Sequence, residues 1–448
     1  MNYTADNIVA IASSSGYAGV GVVRVSGANL SRVAKGISGR EVLKPRYAHY
    51  SDLFASDGSV LDSGLLLYFA APNSFTGEEV LEIQGHGSPI VLNMIVKRCV
   101  ELGCRLAEAG EFSKRAYLNG KLDLVQAESI ADLIHAESEA SAKGAIKSLK
   151  GDFSKHINQI NEELINLRMF VEATLDFPEE DIEFIADAKI RDKLTIVRNS
   201  IHKLFQGTKQ GVLLNNGANI VIVGQPNVGK SSLLNALANE NVAIVTEIAG
   251  TTRDIVSQKI IIDGIPFNII DTAGIRDTDD VVEKIGIERA YNALESADLC
   301  LILVDNQTGI GEREMDIIKR LPSGMSKLYI HNKIDLTGVE AHIEEHNDET
   351  HVYLSAQQKL GLDNLRQKLL SMIGWNNNES DVFLARTRHL DAMKITVEHI
   401  DYAFNNWDSL EIIAEELRYA HNSLATITGE FTADDLLGEI FSRFCIGK

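Results

Sequence analysis

A six-residue apolar run, "ANIVIV" (218–223), leads directly into "GQPNVGKS" (Gly224 to Ser231) and then into the helical "SLLNALAN". Strand, glycine-rich loop and helix in that order make the P-loop pattern in the context it requires. Strand-like runs keep alternating with helical ones beyond it, in "FNIIDTAG", "LCLILVD", "KLYIHNKID" and "HVYLSA". That alternation predicts a parallel sheet with helical crossovers, ending near "MIGWNNN".

The flanking sequence has a different texture. Residues 1 to 118 read as α+β, with β-branched runs ("NIVAIA", "VGVVRVSG", "LLLYFA", "EEVLEIQGHG") separated by Gly, Ser, Pro and Asn. One helix is expected there, starting at Ser88 with Pro89 in its first turn and stopping at Gly103. From 119 to 214 apolar residues recur at three- and four-residue spacing, with the acidic break "DFPEEDIE" between two helical runs. Residues 377–448 are helical again. The simplest account is one discontinuous all-α domain (119–214 and 377–448) with the α/β domain (215–376) inserted through its middle, since domain termini commonly lie close together. The fold class is therefore multidomain, α+β and α/β.

Bulk numbers narrow the class. A length of 448 residues suits about three domains. The net charge of −20 does not advertise nucleic-acid binding, although a local basic patch would be invisible in the sum. Cys99, Cys104, Cys300 and Cys445 are scattered, and the first three read as core thiols in a reducing cytosol. No apolar run of about 20 residues suggests a membrane span, and the N-terminus lacks a secretory pattern.

The nucleotide chemistry is readable residue by residue. Glycines of the P-loop let backbone N–H groups wrap phosphates, Lys230 adds a point charge, and Ser231 offers a hydroxyl to Mg²⁺. "DTAG" follows a strand, so Asp271 can hold the Mg²⁺ shell and Gly274 can sense a γ-phosphate. In "NKID", Asn332 and Asp335 suit a guanine edge, because a carboxylate accepts from the ring N–H and the exocyclic amine; adenine inverts that pattern. "GTTRD" supplies Thr252 as a second Mg²⁺ ligand, and "LSA" (Ser355, Ala356) a backbone contact to the base. Together these predict a GTPase. A Ras-like site carries a water-orienting Gln after "DTAG"; here the place is Ile275, leaving Asp277, Asp279, Asp280 and Glu283 as candidate carboxylates.

With Asn227, "AIVTEIAGTTRD", "DTAGIR", "IGIERA", "PNSFTGEEVLEIQGHGSP", "GEFSKRAYLNGKLDL", "VEATLDFPEE" and the tail "GEFTADDLLGEIFSRFCIGK" in hand, the chain resembles the MnmE (TrmE) family of tRNA-modification GTPases, from about residue 6 to the end. The resemblance implies a folate-binding, dimer-forming N-terminal domain, a discontinuous helical domain and an inserted G domain. It implies nucleotide contacts from Asn227, Val228, Gly229, Lys230, Ser231 and Ser232 and from the loop Thr246, Glu247, Ile248, Ala249, Gly250, Thr251 and Thr252. Asp271, Thr272, Ala273, Gly274, Asn332, Lys333, Asp335, Ser355 and Ala356 complete that set. K⁺ would be held by Asn227, Thr246, Ile248 and Thr251, replacing the charge of an arginine finger. Glu283 matches the family's water-positioning glutamate, and Arg253, Asp254 and Arg276 match switch residues linked to activity.

By the same resemblance, Arg24, Glu82, Lys121 and Lys448 bind a 5,10-methylene- or 5-formyl-tetrahydrofolate, with charges of the right sign for its carboxylates and pterin edge. Tyr17 stands in "SSSGYAGVG", where the family usually reads close to "PPGRGGVG", and loss of that basic residue weakens or reshapes the pocket's edge. The implied reaction is addition of an aminomethyl or carboxymethylaminomethyl group at C5 of the wobble uridine of certain tRNAs. The implied partner is MnmG, an FAD protein, in a heterotetramer around a homodimer, in the cytoplasm. A regulatory GTPase of ribosome assembly is the alternative, and prenylation of "CIGK" is a poor fit to the C-a-a-X pattern. Cys445 is left with two readings, one near the chemistry and one positional.

Overall fold

The computed structural model describes residues 6–176, 183–239, 256–271, 297–312, 324–346, 349–376, 382–429 and 440–442, with 315, 318, 319, 321, 322, 444, 445 and 447. In chain order it forms β1 (Ile8–Ile11), β2 (Ala18–Gly27), α1 (Ser31–Ser38), β3 (His49–Phe54), β4 (Val60–Phe69), β5 (Glu79–Gly87), α2 (Pro89–Glu101), β6 (Arg105–Leu106) and α3 (Glu111–Leu118). Four helices follow, α4 (Leu124–Ile134), α5 (Glu139–Leu149), α6 (Asp152–Asp176) and α7 (Glu183–Asn216). Then come β7 (Ala218–Val223), α8 (Lys230–Asn239), β8 (Val256–Ile262), β9 (Ile265–Asp271), β10 (Leu299–Asp305), β11 (Ser326–Asn332), β12 (Ile343–His346) and β13 (Glu349–Tyr353). The helices α9 (Leu362–Met372), α10 (Thr387–Asn405) and α11 (Leu410–Thr428) close the series. Two compact units divide the chain, one of residues 1–131, 149–165 and 418–448, the other of 132–148 and 166–417.

The first unit is organised by a six-stranded sheet in the order β3-β4-β5-β2-β1-β6. Only β1 and β6 pair in parallel; the other neighbours are antiparallel. Strand β5 buries Leu81 and Ile83 and turns Glu82 and Gln84 to the other face, the period-two pattern of a one-sided core. Helix α2 covers the buried face with Leu92, Ile95, Val96 and Cys99. It starts as expected, with Ser88 in the N-cap place and Pro89 following, and its cap Leu102 precedes Gly103. Strand β3 leaves little mark in the apolar pattern: it lies at the sheet edge, and only Leu53 among its residues is buried, the others being exposed or half-buried.

The second unit carries a seven-stranded sheet ordered β12-β13-β11-β10-β7-β9-β8. Its five central strands are parallel, and β10 is buried along its length except at Asp305. The expected parallel sheet gains an antiparallel strand at each edge, where β8 and β12 run antiparallel to their neighbours. The β8–β9 pair is a hairpin closed by Asp263-Gly264, both at positive φ (49° and 86°), the geometry that tightens a two-residue turn. Helices α7 and α10 pack together, with Arg198 and His202 both on Asp401, at 2.6 and 2.9 Å.

Cys99, Cys104 and Cys300 are buried, and burial pushes their thiols up, Cys104 to about 11 and Cys300 to about 12. They are core residues, as expected, whereas Cys445 is exposed. No described helix is long and apolar enough to cross a membrane.

Candidate guanine-nucleotide site and C-terminal tail

The carboxyl ends of β7, β10, β11 and β13 meet at one rim, where an open α/β sheet places its ligand. From β7 the chain turns through Gly224 to Gly229 and enters α8 at Lys230. Asn227 is exposed at a left-handed φ of 64°, and Gly229 at 102°. A Cβ on Gly229 would collide with Nδ2 of Asn332, so the loop closes only around glycine there. Lys230 Nζ donates to Gly224 O at 2.9 Å, folding the side chain back over the loop, and Ser231 and Ser232 face solvent beside it.

Asn332 ties the phosphate loop to the base loop. Buried to 3% exposure at the end of β11, it donates through Nδ2 to Val228 O (2.9 Å) and accepts at Oδ1 from Ala356 N–H (3.0 Å). Neutral amide contacts on both sides hold the P-loop and residues 355–356 in fixed relation. Ser355 is fully buried, its backbone paired with Leu360 at 3.0 and 3.1 Å and its hydroxyl accepting from Gln358 N–H. Lys333 sits at φ 66° and reaches Asp305 at 2.7 Å. Burial raises the Asp305 carboxyl, but the bond and charge from Lys333 and the Gln307 N–H bring it net below the usual range. Sequence reading missed Asp305; its only signal is a carboxylate ending the strand "LILVD" next to the one that carries "NK".

Asp335 supplies the observation that points to a ligand. Its Oδ1 is buried without a hydrogen-bond partner among the described residues. A carboxylate oxygen in that condition is costly unless a donor arrives from outside the described residues. Thus Asn227, Val228, Gly229, Lys230, Ser231, Ser232, Asn332, Lys333, Asp335, Ser355 and Ala356 converge on this rim. Thr246, Glu247, Ile248, Ala249, Gly250, Thr251, Thr252, Arg253, Asp254, Thr272, Ala273, Gly274, Arg276 and Glu283 lie outside the described residues, as does the side chain of Asp271.

In the first unit, Arg24 and Glu82 face each other across β2 and β5. Arg24 gives Nε (3.0 Å) and Nη2 (2.8 Å) to the same Glu82 oxygen, and its guanidinium lies 5.7 and 5.9 Å from the rings of Phe75 and Phe112. Lys121 Nζ donates to Pro72 O. The tail reaches the same sheet. Phe441 and Phe444 sink among Leu124, Ala127 and Ala131, and Gly110 N–H donates to Cys445 O at 3.4 Å. Gly447, at φ 100°, lies against Ile11 and Ala12 so closely that a Cβ would strike Ile11 O. Ile11 pairs with Val23, the residue before Arg24. Gly447 therefore lies against the sheet that carries Arg24, while Lys448 lies outside the described residues.

The sequence is also similar to known proteins. The family model described as "GTP-binding protein TrmE N-terminus" matches residues 7–121, and "MnmE helical domain" matches 124–445. The "tRNA modification GTPase MnmE" of Chromobacterium violaceum is 56% identical over 448 residues, covering 100% of both chains. The chain belongs to the MnmE (TrmE) family. MnmE proteins of Laribacter hongkongensis (54% identical) and Neisseria meningitidis serogroup C (53%) also match 100% of both lengths. A solved structure of Aquifex aeolicus Era bound to GDP·AlF4⁻ aligns with 41% of this chain and 66% of its own, at 27% identity and a TM-score of 0.27.

Proposed function

We propose that this chain is a K⁺-stimulated GTPase which, as a homodimer joined by the FAD protein MnmG, adds an aminomethyl or carboxymethylaminomethyl group to C5 of the wobble uridine in certain tRNAs. At the coarser level, it is a GTP-binding P-loop GTPase of tRNA modification, as its full-length relatives are named. The observation that carries the nucleotide assignment is Asn332 bridging Val228 and Ala356, with Asp335 Oδ1 buried and without a hydrogen-bond partner among the described residues. Such a pocket has a donor-hungry carboxylate at its base end, and guanine brings two donors.

Within this reading Lys230 binds the terminal phosphates once it leaves Gly224 O, and Ser231 with Thr252 would hold Mg²⁺. Asn227 would hold K⁺ through its side chain, with the carbonyls of Thr246, Ile248 and Thr251. Both cations supply charge that offsets what builds on the phosphates during hydrolysis. Glu283 positions water, and Arg253, Asp254 and Arg276 act in the switch. Arg24, Glu82, Lys121 and Lys448 would hold the folate, the source of the one-carbon unit. Cys445 belongs to the modification side rather than to hydrolysis, because its exposed thiol lies on the unit that carries Arg24.

One reconstitution tests this, with tRNA, GTP, Mg²⁺, a methylene-folate, ammonium or glycine as the amine donor, NADH and FAD-loaded MnmG, read by phosphate release and by mass spectrometry of tRNA nucleosides. Hydrolysis should be much faster in KCl than in NaCl, and Asn227→Ala should remove most of that difference. Cys445→Ser should keep hydrolysis and lose the modified uridine. Equal rates in both salts would defeat the K⁺ role, and an unmodified tRNA with the wild-type chain would defeat the modification.

A further inference from the structure

The chain carries 63 acidic against 43 basic residues, so a stretch that reverses this balance stands out. Residues 40–50, "REVLKPRYAHY", hold Arg40, Lys44 and Arg46 against one carboxylate, Glu41, which Lys35 meets at 2.6 Å. They join α1 to β3, the edge strand of the first sheet. Tyr47 and Tyr50 stand 55% and 67% exposed in the same stretch. Apolar surface scattered singly is ordinary; two tyrosines among three cations within eleven residues form a patch.

The segment is held in shape. Lys44 N–H donates to His49 Nε2 at 2.9 Å, and the Tyr47 ring stands edge-on to His49 at 4.9 Å with Lys44 Nζ 5.6 Å from its centre. Arg46 occupies a left-handed φ of 58°, rare for a non-glycine residue and retained only where surroundings enforce it. What enforces it is a backbone bond to Tyr68 O (2.8 Å), a guanidinium bond to Asn73 O (2.8 Å) and a stack on Phe69 at 5.6 Å. Arg40 is braced on Tyr50 O at 2.9 Å. Beside that contact lies an open hollow of about 390 Å³ lined by Arg40, Tyr50, Asp52 and Phe54 among others, where Asp52 also accepts from Ser63 Oγ.

Cations alone would suit an acidic peptide. Rings interleaved with cations, next to a hollow lined by aromatic residues and a carboxylate, suit a base carried on a phosphate backbone. We propose that this edge (Arg40, Lys44, Arg46, Tyr47, His49 and Tyr50) is a contact surface for single-stranded RNA, with phosphates on the cations and an unstacked base on the tyrosines. The inference rests on the tRNA reading above and deepens it, since chemistry on a base requires that base out of its stack.

The test uses the full-length chain and fluorescence anisotropy, with an anticodon stem-loop RNA as probe and a blunt duplex of the same stem as control. Tyr47→Leu with Tyr50→Leu should weaken stem-loop binding roughly tenfold or more, the loss expected when a stacked base is given up, and leave duplex binding unchanged. Arg40→Gln with Lys44→Gln should lower the slope of log Kd against log salt by about 1.4, some 0.7 for each phosphate that a cation no longer neutralises. Both double variants should hydrolyse GTP at the wild-type rate, which reports that they fold. Wild-type stem-loop affinity in both variants overturns the proposal, as does displacement of the RNA by polyglutamate as readily as by unlabelled stem-loop. A wild-type chain that binds the stem-loop through this edge but leaves tRNA unmodified would instead overturn the modification reading and leave this one standing.

Discussion

Guanine and adenine present opposite edges, and in the function proposed above the discrimination falls on a few atoms around Asp335. Its Oδ1, without a hydrogen-bond partner among the described residues, can accept from guanine's ring N–H and exocyclic amine but meets only an acceptor on adenine. Replacing Asp335 by Asn turns half of that carboxylate into a donor, which now opposes guanine and suits a purine with oxygen at C2. We expect Asp335→Asn to weaken GTP binding by on the order of 100-fold, about the value of two charge-assisted hydrogen bonds, and to strengthen xanthosine triphosphate. Calorimetric titration of both nucleotides checks this; undiminished GTP affinity would remove Asp335 from the base site. Asp335, Asn332 and Lys230 were legible because each sits in a short motif whose chemistry is local in sequence. Asp305 was not legible, since its partner Lys333 comes from the neighbouring strand and meets it only through the β10–β11 register. The pairing of Arg24 with Glu82 was hidden for the same reason, being set by the β2–β5 register.

At the scale of elements, strands with continuous apolar runs were readable and polar edge strands were not. β7, β10 and β11 announce themselves, whereas β3 ("HYSDLF") and β12 ("IEEH") carry charges because edges must resist further pairing. The β8–β9 hairpin did leave a signal, the "DG" between "KIII" and "IPFNII". The far edge of the second sheet contains a column of rings: Tyr329 stacks on His351 (4.7 Å), His331 on Tyr353 (4.4 Å) and His342 on Tyr353 (4.3 Å). His331 and His351 share one hydrogen bond at 3.0 Å, which needs one donor and one acceptor nitrogen. Burial, then the neighbouring His351 charge, pulls His331 down to about 4. The folded state thus binds its proton more weakly than the unfolded chain, whose histidine titrates near 6.5. Stability from this site is complete above that value and lost as pH falls from about 6.5 toward 4, roughly 2 kcal/mol by pH 5. Urea unfolding at pH 7 and pH 5 should therefore show a smaller acid loss in His331→Phe than in the wild type. An identical loss in both would mean that the column does not carry this acid sensitivity.

Across the second unit, the chain enters and leaves the seven-stranded sheet near one place. Gln210, near the end of α7, donates to Gly374 O at 2.6 Å and accepts from Asn376 N–H at 3.1 Å, so the two crossing strands of chain are tied together. An inserted segment needs its two ends close together, and the Gln210 contacts meet that requirement for the insertion expected from sequence texture. What texture could not reveal is how firmly the sheet is seated. Its core includes Ala145 from α5, Leu214 from α7 and Leu384, with Leu133 and Ala140 packed against it. Ser138 Oγ donates to Gly264 O in the β8–β9 turn at 2.7 Å, and Lys259 pairs with Glu137 at 2.8 Å. An excised segment 217–376 keeps every described nucleotide residue but gives up these apolar partners, and burying a few such side chains is worth about 1–3 kcal/mol each. We therefore expect the segment to bind GTP within a few-fold of the full chain's affinity, because Asn332 and Lys230 find their partners inside it and Asp335 lies within it. Its thermal transition should fall several degrees or more below that of the full chain, and added GTP should recover part of the loss by mass action. Fluorescence melts of both proteins, with and without nucleotide, decide the matter. A segment that melts with the intact chain would mean that the helical seat adds nothing to the sheet, and a segment that binds no GTP would mean that the site needs residues outside 217–376.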